Sequence, residues 1–237
     1  MKYELFPLGE DAVLIELSQQ IDIETHEKVQ LVTNYLDGHP PEWMIEYIPA
    51  FTTVTIYYDP FKIATTIPFD QMPYTYVCQQ IDSLFAHFTD RLKEQRRIVE
   101  IPVCYGGELG PDLEMVAKVN QLTPEEVIDI HTSGQYIVYM IGFAPGFPYI
   151  GGMSEKIATP RKESPRLAIP ERSVGIAGMQ TGIYPIETPG GWQLIGRTPK
   201  QLFTPETNPP SLLKAGDQIK FTSISLEEYQ ELEKRFV

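Results

Sequence analysis

Three arginines and a group of glycines lie within one short part of the chain. Arg161, Arg166 and Arg197 fall in the stretch TPRKESPRLAIPERSVGIAGMQTGIYPIETPGGWQLIGRTP, residues 159–199. A guanidinium presents a planar fork of donors that matches a carboxylate or a phosphate. Glycine lets backbone N–H groups come close to a bound oxyanion. The stretch therefore predicts a site for a small anion.

Three polar residues are the catalytic candidates. Arg197 interrupts an apolar, strand-like run, where an unpaired charge would be costly, so its guanidinium is expected to meet a carboxylate of the protein or a bound anion. Gln180 offers neutral donors and acceptors. His131 is a candidate acid or base, although its place at the end of a predicted helix also suits a structural role.

The candidate ligand-binding residues would form a backbone cradle and the walls of a pocket. Part of this set lies in GFAPGFPYIGG, residues 142–152, which is too rich in glycine and proline for a regular helix and must form a shaped loop. An alternative remains open, in which the glycines turn the corners of a barrel and the aromatics belong to its core. The candidates are Gly142, Phe143, Pro145, Gly146, Phe147, Arg161, Arg166, Gly178, Thr181, Gly182, Tyr184, Gly190, Gly191 and Trp192.

Common catalytic motifs are missing from the sequence. It contains neither a GxxxxGK[ST] phosphate loop nor a GxSxG elbow, and the run from His26 has Gln30 where a zinc-binding HExxH motif needs its second histidine. The four histidines show no ligand spacing, so no metal site is expected.

Charge and hydropathy exclude several classes of partner. The formal net charge is −13, with 19 basic and 32 acidic residues, which opposes binding to nucleic acid or to an anionic membrane. Residues 142–200 differ, with seven basic against four acidic side chains. No apolar run has the roughly 18–20 residues of a membrane span, and the N-terminus MKYELFPLGED does not resemble a signal peptide. These features predict a cytoplasmic protein.

The elements that must position these residues fall into two predicted domains. Residues 1–95 show strand-like runs at AVLIELS, WMIEYIP and FTTVTIYYDP. They also show helical periodicity from Asp22 to Leu36, with Gly38 as the expected C-cap, and from Val77 to Leu92. This order predicts a small α/β sandwich, an antiparallel sheet with helices on one face.

Residues 96–237 are predicted to form a β-barrel domain. Short helices over 111–119 and 123–131 follow the strand IVEIPVCY, and the second begins with the capping box TPEE at Thr123. Between Pro145 and Pro210 lie 11 of the 21 prolines, with short β-like runs between them. So many prolines favour short strands and turns over helices. The fold class is therefore α+β.

The motifs resemble a known protein family. GFAPGFPYIGG, TPR, SVGIAGMQTGIYPIETPGGWQLIGRTP and AGDQIKF are similar to the family of KipI, the B subunit of 5-oxoprolinase and allophanate hydrolase subunit 1. The resemblance is strongest from Ile101 to Phe221 and implies that the C-terminal barrel is cyclophilin-like. It also implies ATP-dependent cleavage of 5-oxoproline to L-glutamate. The implied partners are a homologous barrel protein, which is KipA or the C subunit of 5-oxoprolinase, and the lactam-opening A subunit.

Family resemblance leaves a second function open. KipI-type members inhibit autophosphorylation of a sporulation sensor histidine kinase, so the chain could be a regulatory protein whose aromatic loops bind that kinase. In the enzymatic alternative, ATP is a co-substrate that binds only when the partner proteins complete the site. Prolyl isomerase activity does not follow from a cyclophilin-like fold alone. Allophanate hydrolysis ranks below 5-oxoproline cleavage because no Ser-Ser-Lys machinery is recognisable.

Overall fold

Two compact units make up the protein. The structure is a computed structural model that describes residues 1–86 and 97–236. The units are Met1–Gln95 and Arg96–Val237, and within the described residues each has its own cluster of buried apolar side chains. Every helix in the described ranges is too short or too polar to cross a lipid bilayer.

The first unit is a four-stranded antiparallel sheet with helices on one face, as predicted. Across the sheet the strands run in the order β1-β2-β4-β3. Its elements are β1 (Glu4–Pro7), β2 (Ala12–Glu16), α1 (Ile23–Gly38), β3 (Met44–Pro49), β4 (Thr53–Tyr58), α2 (Pro60–Ala64) and α3 (Pro73–Ala86).

Successive side chains of the central strands point to opposite faces of the sheet, and this alternation explains why the helices cover one face. Val13 and Ile15 of β2, like Val54 and Ile56 of β4, point to the same side of the sheet and are buried. There they pack against apolar side chains of α1 and α3.

Two details of the predicted helices need comment. Gly38 is not the C-cap of α1, because the helix continues through it and His39 caps it, donating its backbone N–H to Tyr35 O at 2.8 Å. Of the long helix predicted from Val77 to Leu92, residues 87–92, including Phe88 and Leu92, lie outside the described residues.

The second unit consists of short strands and three α-helices within residues 97–236. Its elements are β5 (Ile98–Tyr105), α4 (Leu113–Val119), α5 (Pro124–Ser133), β6 (Tyr136–Ile141), β7 (Pro148–Gly151), β8 (Arg166–Ile169), β9 (Ser173–Ala177), β10 (Gln180–Ile183), β11 (Thr188–Gly190), β12 (Gln193–Arg197), β13 (Gln218–Ser223) and α6 (Leu226–Phe236).

Within that range seven strands close into a barrel, which confirms the predicted architecture. The order around the barrel is β10-β7-β6-β13-β5-β12-β9, and β8 pairs with β11 in a separate ribbon. The pair β13 and β5 is parallel, whereas the other pairs are antiparallel. Helix α5 begins with the predicted capping box, in which Thr123 and Glu126 cap each other's backbone N–H groups.

Candidate functional site

A cavity of about 180 Å³ lies in the second unit beside the end of β12. Its walls combine two arginines and one carboxylate with apolar side chains, so it is both cationic and partly hydrophobic. The lining residues come from the segment before α4, from β8 and the residue that follows it, and from the strands β9 and β12: Glu108, Leu109, Pro111, Arg166, Ala168, Pro170, Ser173, Leu194 and Arg197.

Arg197 is the last residue of β12, and its side chain is partly buried. Its position is fixed by the register of β12, where it pairs with Ser173 of β9 and Cys104 of β5. The Nε–H group donates to Glu171 O at 2.8 Å. Among the described residues, no hydrogen bond or ion pair occupies its two Nη groups. The guanidinium therefore has free donors at the cavity.

Arg166, the second arginine of the cavity, is held by a buried carboxylate. Its Nη2 lies 2.8 Å from Asp112 Oδ1, and Lys162 Nζ lies 3.3 Å from the same oxygen. Asp112 Oδ2 accepts the backbone N–H of Leu194 at 2.7 Å. This network links β8 and β12 to the start of α4. The carboxylate of Asp112 neutralises much of the charge of Arg166.

Asp112 was not a candidate in the sequence. It directly precedes α4, where an aspartate is typical of a helix N-cap, yet its side chain makes no capping hydrogen bond. Burial acts to raise the pKa of Asp112, but the hydrogen bonds from Arg166 and Leu194 outweigh it and hold the pKa below its usual value. The carboxylate is therefore charged and forms an ion pair with Arg166.

His131 lies inside the barrel and not at the cavity. It is 0% exposed, and both ring nitrogens have partners: Tyr105 Oη at 2.7 Å from Nδ1 and Thr181 Oγ1 at 2.9 Å from Nε2. Thr181 donates its own hydroxyl hydrogen to Gly175 O, so it accepts from His131 Nε2–H, and Tyr105 donates to Nδ1. Burial lowers the pKa of His131 to about 3. This geometry gives His131 and Thr181 a structural role in the core.

Three of the predicted aromatic wall residues form a small apolar core. Phe147, Tyr184 and Trp192 are each less than 10% exposed and pack edge to face, with the Phe147 ring centroid 5.6 Å from Tyr184 and 5.8 Å from Trp192. Phe143 contacts the edge of this cluster but is 69% exposed. The structure therefore favours the packing alternative for all three buried rings.

The loop between β6 and β7 contains the first candidates, Gly142 to Phe147. It closes on itself, because Gly142 N–H donates to Phe147 O and Phe147 N–H donates to Ala144 O, each at 3.0 Å. Gly146 has a φ of +76°, and a Cβ there would lie 2.9 Å from Phe203 Cβ. Pro145 is exposed at the bend. None of these residues lines the cavity.

The glycines of residues 178–191 serve turns and close packing. Gly178 has a φ of +58° in the turn between β9 and β10. A Cβ on Gly182 would lie 2.9 Å from the Trp192 ring, and one on Gly190 would lie 2.5 Å from Tyr184 Oη. Gly191 O accepts the Lys162 N–H at 2.7 Å. Gly182 and Gly190 therefore leave space for aromatic side chains, and Gly191 joins its loop to the segment that contains Lys162.

Two further candidates lie away from the cavity. Gln180 begins β10 and pairs with Ala177 in the β9–β10 hairpin, and Arg161 is exposed on the segment before β8. Of the predicted site residues, the cavity thus brings together only Arg166 and Arg197. Within the described residues, no group of three His, Cys, Asp or Glu side chains is arranged to hold a metal ion.

Comparison with known proteins identifies the family. Residues 3–213 match the family described as carboxyltransferase domain, subdomain C and D. The chain belongs to this family. It is 53% identical to the B subunit of 5-oxoprolinase from Bacillus subtilis (strain 168), over 97% of this chain and 96% of that protein. It is 40% identical to the B subunit of 5-oxoprolinase from Haemophilus influenzae, over 94% of this chain and 99% of that protein. The resemblance found in the motifs is confirmed.

Solved structures support the same fold. A conserved uncharacterized protein from Pyrococcus horikoshii is 40% identical, with a TM-score of 0.55, and the match covers 95% of this chain and all of that one. The urea carboxylase of Kluyveromyces lactis gives a TM-score of 0.73 over 99% of this chain and 23% of its own. At 19% identity, that second likeness shows the fold alone.

Proposed function

We propose that this protein is the B subunit of an ATP-dependent 5-oxoprolinase, which opens the cyclic amide of 5-oxoproline to L-glutamate. The observation that carries the proposal is the 53% identity, over 97% of the chain, to a protein named as the B subunit of that enzyme. Such a protein implies partners, and we propose two: a homologous barrel protein as the C subunit, and the lactam-opening A subunit. A reaction that consumes ATP suits the cytoplasm.

The cavity supplies the part of the chemistry that belongs to this chain. An unstrained amide is a poor electrophile, and ATP, bound by the assembled complex, would supply activation of the amide oxygen. The role of this chain is to hold and orient an anionic group of a reactant in a site partly shielded from water, where a charge-assisted hydrogen bond is stronger than in bulk solvent. Arg197 has the free donors for that role.

Arg166 and Arg197 have different roles in this proposal. Arg166 is fixed by Asp112 and contributes positive charge and shape to the cavity wall. Arg197 keeps two Nη groups to which the described residues make no hydrogen bond or ion pair. We therefore assign Arg197 as the reactant-binding residue and Asp112 as a positioning residue that acts through Arg166.

The test measures ATP-dependent glutamate formation from 5-oxoproline by this chain mixed with its two proposed partner proteins. Omitting this chain should abolish turnover, and Arg197→Ala should lower it by at least about tenfold, since losing a hydrogen bond to a charged group costs about 1.5–3 kcal/mol. Lys118→Ala, which removes an exposed charge of α4, is the matched control and should retain activity.

Two results would contradict the proposal. Turnover that persists when this chain is omitted would show that the chain is dispensable, and would favour the regulatory alternative in which it inhibits a sensor histidine kinase. Equal turnover by Arg197→Ala and Lys118→Ala would remove Arg197 from the site, provided that both variants assemble with the partner proteins to the same extent.

A further inference from the structure

The size of the cavity restricts which reactant it can hold. Pockets that enclose a drug-sized ligand usually measure about 300–1,000 Å³. The cavity at Arg197 measures about 180 Å³. A nucleoside triphosphate, with its base, ribose and three phosphates, is far larger than 5-oxoproline, which is one five-membered ring with one carboxylate. The small acid therefore fits whole inside the cavity, whereas a nucleotide would extend far out of it.

The charges of the cavity favour a single negative charge. Two arginines and one glutamate line it. Because Asp112 and Lys162 add opposite charges next to Arg166, the surroundings carry a small net positive charge centred on Arg197. A triphosphate would need several cations or a metal ion to balance its charge, whereas one guanidinium suffices for one carboxylate.

The apolar part of the lining completes the fit. Leu109, Pro111 and Leu194 offer hydrocarbon surface that suits ring methylenes. Glu108 adds a carboxylate, which can accept a hydrogen bond from an amide N–H and which repels a second carboxylate on a ligand. L-Glutamate, the product of opening the ring, has the same net charge but places a second carboxylate and an ammonium group where this lining offers hydrocarbon, and is therefore a poorer ligand for this cavity.

We propose that the cavity of this chain binds the intact cyclic acid, with the carboxylate of 5-oxoproline on the Nη groups of Arg197, and that ATP binds elsewhere in the complex. This inference rests on the proposed function for the identity of the acid. In this proposal, this chain recognises the substrate and a partner protein recognises the nucleotide.

The experiment titrates the full chain, without partners, and follows binding by the chemical shifts of the ¹⁵N-labelled protein. The probes are 5-oxoproline, its uncharged carboxamide, L-glutamate, inorganic phosphate and ATP. We expect 5-oxoproline to perturb signals around the cavity, including the backbone amides of Leu194 and Arg197. We expect the carboxamide and L-glutamate to bind at least about tenfold more weakly, because the carboxamide loses the charge-assisted hydrogen bonds and L-glutamate brings two further charged groups against an apolar lining.

Three variants keep the inference testable. Arg197→Ala should weaken 5-oxoproline binding about tenfold or more. Arg197→Lys, which keeps the charge but loses the two-pronged donor, should fall between Arg197→Ala and the native chain. Lys118→Ala should bind as the native chain does. Because Arg197 is partly buried, each variant is first checked for a native thermal transition, and Arg197→Lys carries the test if Arg197→Ala does not fold.

Several results would overturn the inference. These are no perturbation by 5-oxoproline, equal binding of its carboxamide, unchanged binding by either Arg197 variant, or tighter binding of phosphate or ATP at the same residues. Such a result, combined with turnover that still requires this chain, would leave the proposed function standing and move the substrate site to a partner. Conversely, Arg197-dependent binding of 5-oxoproline by a chain that turnover does not require would refute the proposed function alone.

Discussion

At the scale of single residues, His131 shows how burial decides the chemistry of a side chain. A histidine on an exposed helix end would gain from protonation, because the helix dipole favours a cation there. His131 is instead enclosed by Tyr105, Thr181, Tyr136 and Phe221, with its ring centroid 4.4 Å from that of Phe221. Burial raises the pKa of Tyr105, so its hydroxyl stays protonated and donates to His131 Nδ1.

This environment predicts a pH dependence of stability. The pKa of His131 is about 3 in the folded protein against an ordinary value of 6.5, so between these values the unfolded chain binds a proton that the folded chain does not. The contribution of His131 to stability therefore falls with decreasing pH through that window, by about 1.4 kcal/mol per pH unit. His131→Gln should reduce the slope of the free energy of unfolding against pH.

The measurement is urea unfolding followed by Trp192 fluorescence in a Trp43→Phe background, repeated across that pH window. Ser133→Ala, which replaces an exposed residue of α5, the helix of His131, and removes no titratable side chain, is the control and should leave the slope unchanged. Identical slopes for the native chain and His131→Gln would show that His131 titrates normally and is not sealed in the core.

At the scale of elements, the glycine-rich strands give room to aromatic side chains. A methyl group on Gly182 of β10 would lie 2.9 Å from the Trp192 ring and 3.3 Å from Phe147, so Gly182→Ala should destabilise the second unit by about 1–3 kcal/mol through overpacking. Gly191→Ala is the matched substitution, because its nearest neighbour would lie at an ordinary 3.5 Å. Thermal unfolding and Trp192 fluorescence distinguish the two, and equal melting temperatures would contradict this packing.

Most helices and strands could be predicted from local sequence patterns, because they form through interactions between residues that are close in the sequence. The capping box of α5 and the strand-like runs of β4, β5 and β12 depend on neighbouring residues along the chain, and all lie where they were predicted. The prediction of Gly38 as the C-cap of α1 was wrong, because Gly38 does not adopt a left-handed conformation. The helix includes Gly38, and His39 caps it.

Site residues were harder to predict, because their partners are distant in the sequence. Asp112 joins Arg166, 54 positions away, and Leu194, 82 positions away, and nothing in its local sequence distinguishes it from a helix cap. Arg197, a candidate because a charge within an apolar strand needs a partner, does line the cavity. The glycines were recognised as close-approach positions, but sequence does not say whether a ligand or an aromatic ring comes close.

At the scale of the whole molecule, charge and cavity belong to different units. Residues 1–95 contain five basic and fifteen acidic residues, so most of the net charge of −13 lies in the first unit. All residues that line the cavity lie in the second unit, which has its own buried core around Ile101, Val138 and Ile195. A domain with its own core can in principle fold alone.

The separation predicts that a fragment of residues 96–237 folds cooperatively and binds 5-oxoproline at least as tightly as the full chain. Removing the acidic unit removes long-range repulsion of an anionic ligand, so the fragment should show its largest advantage at low ionic strength. That advantage should shrink as salt is added, because the Debye length falls to about 8 Å near physiological ionic strength. Chemical-shift titrations of both proteins at two salt concentrations test this. A fragment that folds but loses Arg197-dependent binding would show that the cavity requires residues of the first unit.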